Sequence, residues 1–338
     1  MSKLLNCLIN KDISCVPIWF MRQAGRYLPE FKQLRSQNPN FLKLCLNSDL
    51  ASEITLQPMK RFNLDAAIIF SDILVIPYAL GQPIEFGGKN GPRNSKLSIN
   101  KFLDTNERSF LSTLQPIYKA INKTKNILNK DKSLIAFVGA PWTLMIYLYN
   151  FKQQNKLDKD KKITIKNKIE IKSVFKKLDE FLKIHIINQK QAGADIIQIF
   201  DSWAGLIRDE DLNEYCYKPN KSLVNFCKEN KIPSICFPKG LKENYKNFLE
   251  KVKPDAVNID YDIDPSWAKN NFGNICIQGG MSPYVLLEDE KIALEETEKY
   301  IEIFKNKPYI FNLGHGILPE TNPSIIKKIV DRVNIIKR

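Results

Sequence analysis

Histidine, arginine and long apolar runs are scarce in this sequence of 338 residues. Its two histidines, His185 and His315, have no cysteine beside them, so the ligands of an ordinary zinc site are missing. The seven cysteines include no C-x-x-C pair and no regular spacing, which favours free thiols in a reducing cytosol. No apolar stretch reaches the roughly 18 residues of a membrane-spanning helix, and the N-terminus does not fit a signal peptide. These absences predict a cytoplasmic protein with no metal site and no membrane span.

Positive charge is abundant, and most of it is lysine. The net charge of +14 favours an anionic partner. The lysines are nevertheless scattered and form no recognisable nucleic-acid module. The charge is therefore weak evidence for nucleic acid, and a membrane surface or a polyanionic small molecule fits it as well.

Arginine is concentrated in one place. Three of the nine arginines, Arg22, Arg26 and Arg35, fall within fourteen residues. A guanidinium grips a carboxylate or phosphate through two parallel hydrogen bonds, which a lysine cannot do. Gly25 lets the backbone approach a ligand closely or adopt a positive φ. Spacing alone fits two interpretations equally, an anion-binding segment or arginines held in structural ion pairs.

Eight short apolar runs, each followed by a turn and a stretch of helical period, predict repeated βα units. The runs are 16–20, 66–70, 134–138, 195–200, 233–237, 256–259, 275–278 and 309–313. Near-continuous apolar strands are typical of a parallel sheet buried on both faces. Eight of them favour a closed (β/α)8 TIM barrel over an open doubly wound sheet. We predict one domain over residues 1–338, with the active site at the carboxyl ends of the strands.

The segments between these runs predict helices and two excursions. The helices are expected at 52–62, 108–128, 174–192, 209–229, 242–252, 288–304 and 323–335. Ser282 and Asn322 each stand before a proline and are candidate helix caps. Residues 81–100 predict an extended loop or hairpin, and residues 151–168 a solvated insertion.

Polar residues follow each predicted strand, where a barrel carries its chemistry. They are Arg22, Arg26, Ser71, Asp72, Trp142, Tyr147, Asp201, Ser202, Trp203, Lys239, Asp260, Asp262 and His315. Asp72 is either a turn cap or a group facing the cavity. His315 lies between two glycines that allow unusual backbone angles, which favours function, whereas His185 fits an apolar helix and is interpreted as structural. Pattern alone favours core packing for Tyr147 and a helix start for Ser202.

Five ordered segments resemble one family closely. They are PIWFMRQAGRY at 17–27, IFSDIL at 69–74, VGAPWT at 138–143, QIFDSWA at 198–204 and FNLGHGI at 311–317. Together they resemble the uroporphyrinogen decarboxylases of haem biosynthesis, and the likeness runs from about residue 2 to residue 336. The resemblance implies a single-domain (β/α)8 barrel, a homodimer and a carboxy-lyase. It further implies decarboxylation of four acetate groups of uroporphyrinogen III to coproporphyrinogen III without cofactor or metal.

The resemblance also implies roles for individual residues. Arg22 and Arg26 match the carboxylate-binding arginines, and Gln23, Ala24 and Gly25 shape the backbone around the substrate. Asp72 resembles the aspartate at the centre of the macrocycle. The remaining matched substrate contacts are Arg35, Tyr147, Ser202 and His315. Of these residues Asp72, Arg22, Tyr147 and His315 are the expected catalytic group.

The chemistry of the implied substrate agrees with this set. Arginines and an imidazole are expected to supply counter-charges for eight carboxylates. Protonation of the pyrrole ring makes it an electron sink, and Asp72 can stabilise the positive charge that develops there. The proton donor stays open between Arg22, a bound water and Asp72.

The sequence departs from the family in two loops. QGGMSP at 278–283 replaces a segment that commonly carries an aspartate, and the 151–168 insertion replaces a stretch usually rich in glycine and serine. These differences affect loop detail and substrate access, not residues assigned to chemistry. The rival within the superfamily, a corrinoid-linked methyltransferase, needs zinc ligands that this sequence does not offer beside His185 or His315.

Overall fold

A parallel sheet of seven strands organises the chain, which the computed structural model describes over residues 1–88, 91–94, 97–151 and 162–336. The sheet order is β1-β4-β5-β6-β7-β8-β9, and every neighbouring pair is parallel. Its strands are β1 (Ala66–Ile68), β4 (Ser133–Gly139), β5 (Ile196–Asp201), β6 (Ser234–Pro238), β7 (Ala256–Ile259), β8 (Cys276–Gly279) and β9 (Tyr309–Ile310). A separate antiparallel pair joins β2 (Ile84–Gly88) and β3 (Gly91–Asn94), which confirms the predicted hairpin.

The first predicted strand, 16–20, is not a regular strand. Ile18 forms a single parallel bridge with Phe311, and the Ile18 carbonyl accepts the Asp65 N–H at 2.8 Å. The Ile18 N–H donates to the Asp65 carboxylate at 2.9 Å, and Pro17 has no N–H to donate. Segment 16–20 therefore lies between β9 and β1 without a full ladder to either. The expectation of eight regular strands is corrected to seven, and β1 and β9 are also shorter than predicted.

Helices follow most strands, in the alternating order that the sequence predicts. They are α1 (Lys3–Asn10), α2 (Pro29–Gln37), α3 (Phe41–Cys45), α4 (Ser48–Arg61), α5 (Val75–Ala79), α6 (Ile99–Asp104), α7 (Glu107–Ile127), α8 (Pro141–Leu148), α9 (Lys168–Gln191), α10 (Lys218–Glu229), α11 (Tyr245–Val252), α12 (Pro265–Asn271), α13 (Glu290–Ile303) and α14 (Pro323–Ile335). The helix predicted at 209–229 is instead a 3₁₀ turn, Asp209–Asp211, then a π-helical stretch, Asn213–Tyr217, and then α10. Ser282 and Asn322 cap their elements as predicted, by accepting the N–H of Tyr284 and Ser324.

Two apolar cores lie on the two faces of the sheet. The outer core packs the strands against the helices. The inner core gathers buried side chains from segment 16–21 and from all seven strands: Trp19, Met21, Ala66, Ile68, Ile135, Ile196, Ile235, Phe237, Ala256, Cys276 and Ile310. Because these strands share one inner cluster, the sheet is curled around it. Helix α1 adds Leu4, Cys7 and Leu8 to the inner core, with the Cys7 thiol 3.7 Å from the Tyr309 carbonyl oxygen.

Three aspartates secure the amino-terminal ends of alternate strands. Asp65, Asp195 and Asp255 immediately precede β1, β5 and β7. Their carboxylates accept backbone N–H groups of the preceding strand or segment, from Ile18 at 2.9 Å, Leu134 at 2.7 Å and Ser234 at 2.8 Å. These bonds satisfy donors that would otherwise stand unpaired at the sheet edge.

Other sequence expectations are settled by single contacts. His185 is buried on α9, with Nδ1 2.9 Å from the Tyr118 hydroxyl, so its structural interpretation is confirmed. All seven cysteines are free. Among the described residues no helix is long and apolar enough to cross a membrane. Most of the predicted 151–168 insertion lies outside the described residues.

Candidate active site

Side chains of six segments meet at the carboxyl ends of the strands. Arg22 follows segment 16–20, Asp72 follows β1, Tyr147 lies on α8, Ser202 follows β5, Lys239 follows β6 and His315 follows β9. Electrostatic effects tie them together: Arg22 is influenced by Tyr147 and Asp72, and His315 by Arg22 and Lys239. The structure therefore brings Arg22, Asp72, Tyr147, Lys239 and His315 near one another at this end of the sheet.

Arg22 occupies a strained backbone conformation. Its φ of 61° lies in the left-handed region, which a non-glycine residue adopts at a cost of about 1 kcal/mol or more. The residue before it is clamped on both sides, because the Met21 N–H donates to Asn312 Oδ1 at 3.0 Å and the Met21 carbonyl accepts the Ile317 N–H at 2.9 Å. Such strain persists only where the surroundings enforce it, and it is characteristic of functional sites.

Gln23 supports this turn from below. Its side chain is fully buried, with Oε1 accepting the Phe20 N–H at 3.0 Å and Nε2 donating to the Ala66 carbonyl at 3.0 Å. The side-chain amide is thus committed to the protein, and so is the backbone, since the Gln23 N–H donates to the Phe20 carbonyl at 3.1 Å and the Gln23 carbonyl accepts the Tyr27 hydroxyl at 2.9 Å.

Gly25 is required for close packing, not for a positive φ. A Cβ at Gly25 would stand 2.7 Å from the Arg22 carbonyl oxygen, nearer than real Cβ contacts allow. The close approach is to the chain's own backbone, and the alternative of a left-handed conformation is wrong. The close approach of a ligand to this backbone stays a prediction. Ala24, beside it, is half-buried.

Arg22 and Arg26 lack carboxylate partners within the part of the chain that the structure describes. The ion pairs made by arginine there belong to Arg61, Arg208 and Arg332. Arg22 reaches solvent, yet burial among protein atoms lowers its pKa, and the Arg26 cation lowers it further. That combination describes a side chain in a cleft. Two neighbouring guanidiniums without a counter-ion favour the anion-binding interpretation over structural ion pairs.

His315 lies against Arg22, and its glycine neighbours provide the space. A Cβ at Gly316 would stand 2.3 Å from Arg22 Cδ, and one at Gly314 would stand 2.2 Å from the Tyr261 nitrogen. Neither glycine has a positive φ, so the expected unusual backbone angles are wrong and close packing is the reason for both.

The imidazole of His315 is neutral. The Gly316 N–H donates to Nδ1 at 2.7 Å, which leaves the ring proton on Nε2. Burial lowers the pKa of His315 to about 3, with Arg22 and Lys239 adding to the effect. The expectation that this imidazole supplies a counter-charge is therefore corrected, since it offers a hydrogen-bond donor.

Asp72 differs from the two other aspartates that follow alternate strands. Asp201 accepts the Thr143 hydroxyl at 2.7 Å and the Asn220 amide at 3.0 Å, and Asp260 accepts the Gly240 N–H at 2.8 Å and the Tyr245 hydroxyl at 3.0 Å. Both are buried and structural. They are therefore removed from the residues predicted to line the site at the carboxyl ends of the strands, which we call the mouth.

Asp72 is only half-buried, and its carboxylate accepts the Leu74 N–H at 2.8 Å. Burial raises the pKa of Asp72 to about 6, against the opposing effects of Leu74 and Arg22. The Asp72 carboxylate is therefore oriented by the turn, yet it retains the capacity to accept hydrogen bonds from a ligand.

The segments that carry Tyr147 and Ser202 are tied to each other. Trp142 Nε1 donates to the Trp203 carbonyl at 2.8 Å, and the Trp203 N–H donates to Thr143 Oγ1 at 3.2 Å. Tyr147 is half-buried beside the Trp203 ring, and burial raises its pKa. Ser202 is half-buried and caps no helix, so the alternative of a helix start is not supported.

Arg35 lies in the last turn of α2. Its guanidinium donates to the Asn38 carbonyl and stands 5.7 Å from the centroid of the Phe41 ring. These two contacts of Arg35 thus join the end of α2 to the start of α3.

Two residues at the site were missed or left without a role. Asn312 was not predicted, because it lies inside the predicted strand 309–313 and only residues after the strands were considered. The signal that could have identified it is an asparagine in the otherwise apolar start of FNLGHGI, which the structure buries. Lys239 was placed at the mouth on the basis of the sequence but received no role.

Metal ligands are not grouped in the described part of the chain. No three His, Cys, Asp or Glu side chains come together there in a way that could hold an ion.

Comparisons with known proteins identify the family to which the sequence is similar. The sequence model of the family described as uroporphyrinogen decarboxylase (URO-D) matches residues 1–335. The uroporphyrinogen decarboxylase of Rickettsia felis is 39% identical over 340 residues, covering 99% of this chain and 97% of that protein. That of Rickettsia bellii is 41% identical over 319 residues, covering 93% of each.

A solved structure also shares the fold. A methyltransferase from Methanosarcina mazei superposes with a TM-score of 0.79 at 16% identity, covering 98% of this chain and 97% of that one. At this identity the likeness concerns the fold alone.

Proposed function

This chain belongs to the uroporphyrinogen decarboxylase family, and we propose how its own residues carry out the reaction. The protein removes the carboxyl groups of the four acetate side chains of uroporphyrinogen III and gives coproporphyrinogen III and CO2, a step of haem biosynthesis. The observation that carries the proposal is the pair Arg22 and Arg26, unneutralised among the described residues and adjoining the oriented carboxylate of Asp72.

Carboxylates of the substrate bind to Arg22 and Arg26. The substrate bears eight negative charges, and an anionic ligand would offset the Arg26 cation that lowers the pKa of Arg22. The backbone of Gln23, Ala24 and Gly25 shapes this side of the site. Arg35 adds a further basic contact from the end of α2, provided that its side chain leaves the Asn38 carbonyl.

Asp72 accepts hydrogen bonds from the pyrrole N–H groups that converge at the centre of the macrocycle. Its pKa of about 6 keeps most of it ionised at neutral pH. A fixed negative charge at that point stabilises the cation that develops when the ring is protonated, and the protein does not need to reorganise.

The step balances without a cofactor. A proton added to the pyrrole ring makes the ring an electron sink, the bond to the carboxylate carbon breaks, and its electron pair moves into the ring to leave an exocyclic methylene and CO2. A second proton converts the methylene to a methyl group, and the ring loses the first proton. The net change is one carboxylate replaced by one hydrogen.

Arg22 is the group we favour as proton donor. An arginine is ordinarily too weak an acid, but burial and the Arg26 cation both lower the pKa of Arg22. Neutral His315 donates from Nε2 to a substrate carboxylate, and the hydroxyls of Tyr147 and Ser202 contact the opposite side. Tyr147 keeps its proton because its pKa is raised.

Further properties follow from the family and remain part of the proposal. Segment 16–20 takes the place of an eighth strand and closes the sheet into a barrel. Its contacts with Phe311 and Asp65 support this part of the proposal. The chain forms a single domain and a cytoplasmic homodimer, without nucleic acid as a partner. Exposed Tyr284, Leu287 and Ile292 offer apolar surface for the dimer, and sedimentation velocity would measure its mass.

Anaerobic incubation of the purified protein with uroporphyrinogen III tests the reaction. The products are oxidised and separated as porphyrins. A series from eight carboxyls down to four is the expected result. Unchanged substrate from folded protein would contradict the proposal.

A further inference from the structure

Lys239 lies on a different side of the candidate site from the two arginines. It follows β6 directly and is half-buried. In the sheet order β1, β4 and β5 separate β6 from segment 16–20, which carries Arg22. Because the strands curl around one inner core, Lys239 and Arg22 reach the mouth from separate sides.

Contacts place the Lys239 ammonium beside the His315 loop. Nζ lies 5.8 Å from the centroid of the Tyr261 ring, and the Tyr261 backbone packs directly against Gly314. Both the Lys239 and the Arg22 cations act on the imidazole of His315. His315 therefore stands within reach of positive charge from two different strands.

Hydrogen bonds on both sides fix the backbone of Lys239. Its N–H donates to the Asp201 carbonyl at 3.1 Å, and its carbonyl accepts the Gly205 N–H at 2.9 Å. The next residue, Gly240, has a φ of 83° and donates its N–H to Asp260 at 2.8 Å. The Asp201 carbonyl and the Asp260 carboxylate thus fix the backbone at Lys239 and Gly240, and both aspartates are buried.

We infer that Lys239 binds a substrate carboxylate on the side of the macrocycle that Arg22 and Arg26 do not reach. The inference rests on the proposed function. Eight carboxylates spread around a ring need cations on more than one side. Four successive decarboxylations also present different groups to the same place. A point charge on a flexible stem tolerates such variation better than a guanidinium fork.

The test compares Lys239→Met and Lys239→Arg with wild type in anaerobic steady-state kinetics. Lys239→Met should raise KM for uroporphyrinogen III about tenfold or more, with kcat changed far less, because a charge-assisted contact is lost. Lys239→Arg should keep most of the affinity. Lys228→Met is the matched control, since Lys228 is exposed in the last turn of α10 and carries the same charge change away from the mouth.

A second readout needs no turnover. In histidine-labelled protein followed by NMR, His315 should protonate at a higher pH in Lys239→Met than in wild type. His185 is the internal reference, because burial alone lowers its pKa. Lys239→Gln provides a second neutral side chain if the methionine variant does not fold.

The outcomes separate the two proposals. Wild-type protein that leaves uroporphyrinogen III unchanged contradicts the proposed function, whatever Lys239 does. Normal wild-type turnover with an unchanged KM in Lys239→Met overturns the inference alone. An equal rise in KM in Lys228→Met would assign the effect to general charge and would also overturn it.

Discussion

At the amino-terminal ends of the strands Asp195 receives two short bonds from Lys125 Nζ, at 2.6 and 2.8 Å, and one from the Leu134 N–H at 2.7 Å. At the carboxyl ends Asp72 receives one backbone bond, and Arg22 and Arg26 have no acid partner among the described residues. Acidic and basic side chains are therefore paired with each other at the amino-terminal ends of the strands, whereas at the carboxyl ends they remain available to a ligand.

This difference separates stability from function within one sheet. A carboxylate that is fully satisfied by the protein cannot serve a ligand without breaking the fold, whereas Asp72 has accepting capacity left. Asp201 and Asp260 lie at the functional end, yet their donors are supplied by Thr143, Asn220, Gly240 and Tyr245, so position along the strand is not sufficient. The number of hydrogen-bond donors that the protein supplies to each carboxylate decides whether that carboxylate can serve a ligand.

The largest effect is expected for Asp72→Asn. Turnover should fall about a thousandfold, because the charge that stabilises the protonated ring is lost. Assays of kcat with uroporphyrinogen III measure this. Near-normal turnover would remove Asp72 from the mechanism.

Stability should change in the opposite direction in Asp72→Asn. The pKa of about 6 lies above the ordinary 3.8, so the carboxyl favours the folded state while it is protonated, and stability falls as pH rises through that window. Asparagine does not titrate. Above pH 6 the free energy of unfolding of the variant should therefore exceed that of wild type by about 1–2 kcal/mol. The difference should vanish near pH 4. Asp201→Asn is the control and should lose stability, since its new amide faces the Asn220 donor.

Asp195→Ala tests the other end of the sheet. Loss of the acceptor leaves the Leu134 N–H and Lys125 unpaired, so the free energy of unfolding should drop by about 2–3 kcal/mol while kcat stays constant. Denaturant titration measures the change. Asp195→Asn keeps an acceptor for Leu134 and should lose less. A large effect on kcat would break the division between the two ends.

Gly316→Ala should disturb the site without changing any charge. The new Cβ meets the middle of the Arg22 side chain, so kcat/KM should fall about 10- to 100-fold with little loss of stability. A double-mutant cycle with Arg22→Ala provides the control. If the glycine acts through Arg22, the second substitution adds almost nothing. Full additivity would refute this link.

Arg26→Lys keeps the charge and removes the fork. We expect KM for uroporphyrinogen III to rise about three- to tenfold. Arg61→Lys is the matched control, because Arg61 forms a forked pair with Glu30 at 2.8 and 2.9 Å outside the site. Unchanged affinity in Arg26→Lys would identify a structural arginine.

Chelation should have the smallest effect. Activity measured after EDTA treatment and desalting should equal that of untreated protein. Activity that disappears and returns with zinc would instead favour the chemistry of a metal-dependent methyltransferase.

The order of strands and helices could be predicted because buried parallel strands leave a simple apolar signal. Segment 16–20 carried the same signal, yet the Asp65 carboxylate takes its backbone donor, and such a side-chain contact has no periodicity. The π-helical stretch at 213–217, which interrupts the helix predicted at 209–229, could not be predicted either, because nothing in the local sequence pattern marks it.

For the site, residue types could be predicted and their physical states could not. The glycines around His315 were recognised, but their reason, contact with Arg22 and Tyr261, depends on loops nearly 300 and about 50 residues away. The low pKa of the imidazole results mainly from burial, with smaller effects of Arg22 and Lys239, and only the folded chain supplies all three. Asp201 and Asp72 look alike in sequence and differ in their donors.

The clamp on Met21 makes the order of synthesis matter. Its partners, Asn312 and Ile317, lie almost 300 residues downstream, and α1 packs against the start of β9. A chain emerging from the ribosome therefore carries its arginine segment long before anything can hold Arg22 in its left-handed turn. Contacts of such sequence separation form late and slowly. The candidate site is thus completed only after the last βα unit has been synthesised.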